Sequence, residues 1–335
     1  MIERLPRAIA VLLFSLTLAA CSSSKQDCAR PEVLCIGLVT NTAGVEDHGL
    51  NQSAWEGLQR IQRADVIESV DTRDYSKNIA AFAGADYDLI VTSGAGLRDE
   101  TLEAAQAYEG ILFVGLDQEP IDPPIANFVA VTFPQDQGGF LAGALAAQMT
   151  QTSVIGAVCE TSGLPSMWRT CEGFRAGARY INPGITVVVE YRKGSSPDDL
   201  FLDEEWGRQS AQEMIDGGAD VIFGVGGRIG QGALRAAAKA GVWGIGSEQD
   251  QFYVTREARP RLLLSIVPDA SDVIYRLISS LGSGIPAYEM QGSMELAPYH
   301  DSEPFVPASI QTELVELKLA LRNGRIATNV APEKP

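Results

Sequence analysis

The side chains able to do chemistry are few and scattered in this 335-residue chain, which carries 43 acidic and 26 basic residues, two histidines and five cysteines. His48 and His300 are far apart in the sequence and have no cysteine neighbours, so they do not have the spacing of a zinc site, and no metal or organic cofactor is expected. Neither histidine stands where a serine or cysteine nucleophile would obviously use it, and there is no G-x-S-x-G elbow. The glycine clusters fail the nucleotide-loop patterns. After Gly94-Ala95-Gly96 comes Asp99, and after Gly224-Val225-Gly226 comes Ile229, where G-x-G-x-x-G requires glycine; no G-x-x-x-x-G-K-[ST] occurs. The stretch from Gly224 to Gly232 reads instead as a strand-to-helix turn whose backbone N–H groups can approach a ligand closely.

What remains is suited to holding a ligand. Asn41 and Asp117 each end an apolar run, and Asn51 opens an amphipathic one, so the three converge at one edge of a sheet. Any one of them alone is a turn or cap residue. Three together at strand carboxyl ends describe a binding edge.

The elements that must position these groups alternate along the chain. Apolar runs at 33–40, 66–70, 88–92 and 111–116 predict buried parallel strands, separated by helices over 50–63, 76–83 and 101–108. The pattern starts again with a small-residue helix over 137–149, strands at 154–158, 186–191, 219–224 and 242–245, and helices over 168–180, 204–216 and 230–240. Residues 85–96 parallel 218–227, and each leads through a helix to a strand ending in an acid, Asp117 in one case and Glu248 in the other. The expected fold is therefore α/β, with two doubly wound parallel-sheet lobes and a ligand cleft between them. The expected division is 33–130 plus 252–285 for the first lobe, 131–251 plus 286–325 for the second, and a tail over 326–335. A strand at 262–267 and a helix at 272–281 are expected to return to the first lobe.

The N-terminus has its own logic. Arg4 and Arg7 precede the apolar run Ala8 to Ala20, which is too short to span a bilayer of roughly 30 Å and suits a signal-peptide core. It ends in Leu18-Ala19-Ala20-Cys21, so residues 1–20 are expected to be a lipoprotein signal and Cys21 the lipid-bearing residue, with an ordinary secretory signal as the alternative. Residues 21–32 then form the anchor and flexible tether, and the protein faces the extracytoplasmic side or periplasm. No later segment reaches eighteen apolar residues. The net charge of −17 with no basic block argues against nucleic acid or anionic headgroups as partners. The four remaining cysteines permit two local disulfides, Cys28–Cys35 and Cys159–Cys171, with four buried or free thiols as the alternative.

Residues 36–58 (IGLVTNTAGVEDHGLNQSAWEGL) resemble the signature of the basic membrane protein family of bacterial lipoproteins, which includes purine-nucleoside receptors serving ABC importers. Further likenesses lie at 127–133, 139–143, 173–177, 221–232, 245–251 and 323–326. The resemblance implies a type I periplasmic-binding-protein fold that closes over a small molecule without chemistry, as a monomer working with an ABC permease and tethered to the membrane by lipid. It also implies residue roles. Asn41, Asn51 and Asp117 match positions that hydrogen-bond a purine base, Phe223 an aromatic that stacks on it, and Gly227 a backbone contact to ribose.

Three positions depart from that pattern: Leu50 replaces a second stacking phenylalanine, Glu248 a ribose-binding aspartate and Pro268 a ribose-binding lysine. Base stacking is worth roughly 1–3 kcal/mol and a charged hydrogen bond roughly 1.5–3 kcal/mol. The ligand implied is thus a nucleoside held differently, a free base or another polar heterocycle. A ligand-sensing receptor on the same fold is the alternative reading, with an exported nucleoside hydrolase behind it; the latter lacks a clustered Asp set or a nucleophile–base pair.

Overall fold

The computed structural model describes residues 28, 34–61, 64–194, 201–284 and 287–335. The predicted signal segment and Cys21 lie outside the described residues. Among the described residues no helix is long and apolar enough to cross a membrane.

In the first half of the chain strands and helices alternate: β1 (Ile36–Thr40), α1 (Leu50–Gln59), β2 (Asp65–Ile67), α2 (Tyr75–Ala83), β3 (Leu89–Ser93), α3 (Arg98–Ala107), β4 (Leu112–Leu116) and β5 (Phe128–Thr132). The second half repeats the alternation with α4 (Gln135–Met149), β6 (Val154–Cys159), α5 (Pro165–Ile181), β7 (Thr186–Tyr191), α6 (Glu204–Asp216), β8 (Val221–Gly224), α7 (Arg228–Ala240) and β9 (Trp243–Ser247). The chain then continues through α8 (Gln251–Val254), β10 (Leu262–Asp269), α9 (Ser271–Ser280), β11 (Glu289–Gln291), β12 (Ser293–Leu296) and α10 (Ala308–Arg322).

Two six-stranded sheets result, in the orders β11-β5-β4-β3-β1-β2 and β12-β10-β9-β8-β6-β7. All pairings are parallel except β10 with β12. Helices cover both faces, which is why strands such as β1, β3, β5 and β8 are buried along their whole length. The two-lobed α/β architecture is the one expected.

One placement differs from expectation. The strand over 262–267 does not return to the first lobe: it is part of β10, which lies in the second sheet between β9 and β12. Only the helix that follows crosses back, where Val273, Ile274, Leu277 and Ile278 of α9 pack with Leu50, Ala54 and Leu58 of α1. Nor do residues 289–296 belong to one lobe. β11 extends the first sheet beside β5, and β12 joins the second. The lobes are therefore joined by three crossings, at Phe133–Pro134, Asp269–Ala270 and Gly292. A cavity of about 280 Å³ sits at these crossings, lined in part by Pro134, Gln137, Asp269, Arg276, Gly292 and Lys318.

The small-residue helix α4 packs backbone to backbone on α5. A Cβ placed at Gly139, Gly143 or Gly177 would lie 1.9 Å from the carbonyl oxygen of Thr170, Phe174 or Phe140, respectively. Both expected disulfides are present, Cys28–Cys35 and Cys159–Cys171. The second ties the end of β6 to the second turn of α5, and both its cysteines are fully buried. The tail beyond α10 is laid down on the second lobe. Ile326 packs on the core, Thr328 hydrogen-bonds Asp136, and Trp168 donates its Nε1–H to the carbonyl of Ala331 at 3.1 Å.

Candidate functional site

The first lobe's share of the site begins with Asp47. Its carboxylate accepts the backbone N–H groups of Gly49, Asn51 and Gln52 at 2.9–3.1 Å, capping the start of α1 from outside the helix. This fixes Asn51, which is fully buried. The Asn51 amide donates through Nδ2 to Asn41 Oδ1 and to the carbonyl of Gly44, both at 2.9 Å. Two acceptors around one nitrogen settle which end of the amide is which, and leave the buried Oδ1 without a protein partner. Asn41 is crowded against Gly94, whose φ of +113° and close approach to the Asn41 amide admit no side chain. Next to Gly94, Ser93 ends β3 with a buried hydroxyl that also lacks a partner.

One strand further along the sheet, Asp117 follows β4 with φ of +57°, and its backbone N–H donates to Val131 of β5 at 2.8 Å. Its Oδ1 accepts the Gln135 Nε2–H at 2.9 Å, leaving Gln135 Oε1 buried and unpartnered. Asn41, Asn51 and Asp117 thus lie along the carboxyl edge of one sheet, as the sequence predicts, together with Ser93 and Gln135, which it did not single out.

The second lobe faces this edge with Glu248, Gly226, Gly227 and Arg169. Glu248 follows β9 with φ of +68°, its backbone N–H donates to Ile266 of β10, and its Oε2 accepts the Gly227 N–H at 2.9 Å. At the glycine matched to a backbone contact to ribose, the N–H is therefore engaged by the neighbouring carboxylate. Gly226, with φ of +101°, lets the turn pass against Glu160, where a Cβ would come within 2.8 Å of the Glu160 Cβ. Glu160 is fully buried, pairs with Arg192 at 3.0 Å and accepts the Phe201 N–H.

Charge accumulates where the lobes meet. Burial and then the Glu248 carboxylate push the Asp117 carboxyl up to about 7, against the pull of Arg169 and the Gln135 hydrogen bond. Burial also raises Glu248, opposed by the Gly227 and Gly226 N–H groups. Arg169, in the first turns of α5, reaches across to Glu119 of the first lobe at 2.9 Å.

The lobes are in contact. Gly49 pairs with Gln249 through an antiparallel main-chain bridge, Asp250 N–H donates to the His48 carbonyl, and Gln249 Nε2 donates to the Asp47 carbonyl. The two histidines, far apart in sequence, converge on adjacent rings of α8. His48 stacks on Tyr253 at 4.3 Å and His300 on Phe252 at 4.0 Å. Among the described residues no group of His, Cys, Asp and Glu could hold a metal ion.

Two of the expected pocket residues point elsewhere. Phe223 is not a stacking surface: its ring is fully buried in the second lobe and stacks on Phe174 at 5.2 Å. In a strand, alternate side chains face opposite sides, and the face that Phe223 occupies is covered by α4 and α5. Leu50, at 9% exposure, belongs to the first-lobe core with Ala54 and Leu58. Pro268 lies at the carboxyl end of β10, opposite Met294 of β12, where its ring cannot supply a lysine's reach or charge. The groups missed were Ser93, Gln135 and Arg169. Ser93 ends a strand, Gln135 opens α4 and Arg169 lies in the second turn of α5, all on the cleft side, the one signal that could have found them.

Residues 36–286 match the family model described as ABC transporter substrate-binding protein PnrA-like. The chain is 31% identical over 264 residues to a CD4+ T-cell-stimulating antigen of Listeria monocytogenes, covering 72% of this chain and 71% of that one. It is 31% identical over 274 residues to the ABC transporter nucleoside-binding protein BmpA of Lactococcus lactis, covering 74% and 75%. Basic membrane protein B of Borreliella afzelii is 28% identical over 287 residues, covering 81% and 80%. Solute-binding proteins of ABC transporter systems from Conexibacter woesei and Aeropyrum pernix share the fold, with TM-scores of 0.69 and 0.67 at 20% and 18% identity, each over 88% of this chain and 98% and 93% of theirs. The fold is that of the periplasmic binding proteins, and the chain belongs to the basic membrane protein family of ABC transporter substrate-binding proteins.

Proposed function

We propose that this protein is the extracytoplasmic, lipid-anchored receptor of an ABC importer and that it closes over a nucleoside or a related heterocycle. The observation that carries the ligand class is the row of acceptors on the first lobe. Asn51 Oδ1, Gln135 Oε1 and the Asp117 carboxylate lie at one sheet edge, and the first two are buried without protein partners. Such a row suits a ligand edge rich in N–H donors, because a buried acceptor left unmet costs roughly 1–3 kcal/mol. The name of the Lactococcus relative, a nucleoside-binding protein, supports the same class. With Phe223 and Leu50 packed into the cores, the heterocycle is held by its edge more than by its faces.

A thermal-shift and calorimetry screen over guanosine, inosine, adenosine, cytidine and the free bases tests this reading. A ligand at 100 times its Kd should stabilise by roughly 2.7 kcal/mol. Asp117→Ala should weaken the best binder by roughly 1.5–3 kcal/mol. A panel with no binder, or a binder indifferent to Asp117→Ala, ends the assignment. The anchor is tested apart from the ligand: Cys21→Ala should move the protein from the membrane fraction to the soluble fraction, and retention in the membrane would rule the lipid tether out.

A further inference from the structure

Arg169 is held by its neighbours on both sides. Trp168 before it is fastened to the tail through Ala331 and stacks on Tyr191 at 5.9 Å. Cys171 after it is joined to Cys159 at the end of β6. The side chain is therefore carried by a backbone with little freedom, as a recognition group requires. Its Nη2 meets Glu119 of the opposite lobe at 2.9 Å, but its Nε–H is buried and has no partner in the protein. A guanidinium presents its donors in a fixed fork, so engaging one end sets the direction of the others. Here the fork is anchored on the first lobe beside Asp117, whose charge it partly offsets.

We propose that Arg169 is a specificity-determining residue of the cleft, its Nε–H reserved for a carbonyl or hydroxyl oxygen of the ligand while its Nη2 closes onto Glu119. The inference rests on the cleft being the ligand site and adds a requirement to it. The ligand offers N–H donors to the first lobe and an acceptor to the start of α5. A molecule with only one of these features binds weakly. The ion pair with Glu119 forms only when the lobes meet, so the same side chain reports ligand and closure together.

Calorimetry at pH 8 decides, with guanosine, 2-aminopurine riboside and the 2′-, 3′- and 5′-deoxyguanosines as probes, each analogue lacking one carbonyl or hydroxyl oxygen. Arg169→Lys keeps the charge and removes the Nε–H; it should weaken guanosine binding about tenfold. For one analogue, wild type and R169K should bind equally, because that analogue lacks the acceptor. Arg169→Met should show the same analogue dependence with a larger loss. Glu119→Gln should weaken guanosine less than R169K does and leave the order of analogues unchanged. R169K and R169M binding guanosine like wild type, while Asp117→Ala weakens it, overturns this inference alone. A loss in R169K that is equal for guanosine and every analogue also overturns it, since the effect is then structural. Wild type that binds none of the five probes ends both this inference and the nucleoside reading.

Discussion

Asp117 and Glu248 occupy equivalent positions in the two lobes. Each follows the strand that lies one place before the sheet's crossing strand, each takes a left-handed backbone, and each donates its N–H to that crossing strand, at Val131 of β5 and Ile266 of β10. A non-glycine residue in this conformation costs of order 1–3 kcal/mol, so its repetition in both lobes is maintained by the surrounding structure. It aims one carboxylate from each lobe into the same cleft.

The pH response follows from Asp117. An acid raised from 3.8 in the unfolded chain to about 7 when folded is protonated in both states at low pH. As the pH climbs from about 4 to about 7 the unfolded chain releases its proton first, so stability falls through this window and levels off above it. Asp117→Asn removes that slope. Urea midpoints of both proteins between pH 4.5 and 8 should converge at the acid end and separate with rising pH, the variant being the more stable; parallel profiles would contradict the placement of Asp117.

Closure depends on Gly49. A Cβ there would lie 2.6 Å from the Glu248 carbonyl oxygen, across the main-chain bridge to Gln249. Gly49→Ala should disfavour the closed form by roughly 1–3 kcal/mol. Small-angle scattering should show a larger radius of gyration in the variant, with weaker ligand binding by calorimetry. An unchanged radius would show that the bridge does not hold the lobes together.

The helix pair of the second lobe tolerates no added carbon. Gly143→Ala places a methyl 1.9 Å from the Phe174 carbonyl oxygen. Both surfaces are backbone and cannot rotate away, so the loss should be roughly 3 kcal/mol or more. Gly110→Ala, with nothing within 4 Å, is the control and should stay within about 0.5 kcal/mol of wild type. Equal denaturation midpoints for the two variants would refute the close approach of α4 and α5.

The Cys159–Cys171 link closes a short loop, its cysteines twelve apart. Replacing both by alanine should lower stability by about 3 kcal/mol in the loop-entropy model. Guanidinium unfolding with and without reductant checks this: reductant should lower the wild-type midpoint towards that of the double variant. A wild type insensitive to reductant would count against the bond.

Much of the fold was legible because its period is strong. The buried runs ending at Thr40 and Leu116 are bounded by turn residues, and the two copies of the α/β unit announced two sheets. The disulfides were legible from separation alone. The lobe to which β10 belongs was not, because an apolar strand carries no mark of which sheet it will join. Phe223 failed for a related reason. β8 is buried on both faces, so alternation of polar and apolar residues, the usual sign of side-chain direction, is missing. Arg169 escaped because it reads as an ordinary helical residue until the lobes are brought together, and Gln135 because it precedes the helix expected over 137–149.

The tail gives the protein a use as a sensor. Lys334 reaches Ser162 and Ala331 holds Trp168, so the last residues rest beside the loop that leads to Arg169. Glu333 is exposed there and has no part in the cleft. A dye attached at that position would sit beside the segment that carries Arg169 onto Glu119. Ligand capture could then be followed by fluorescence, without touching a residue that binds.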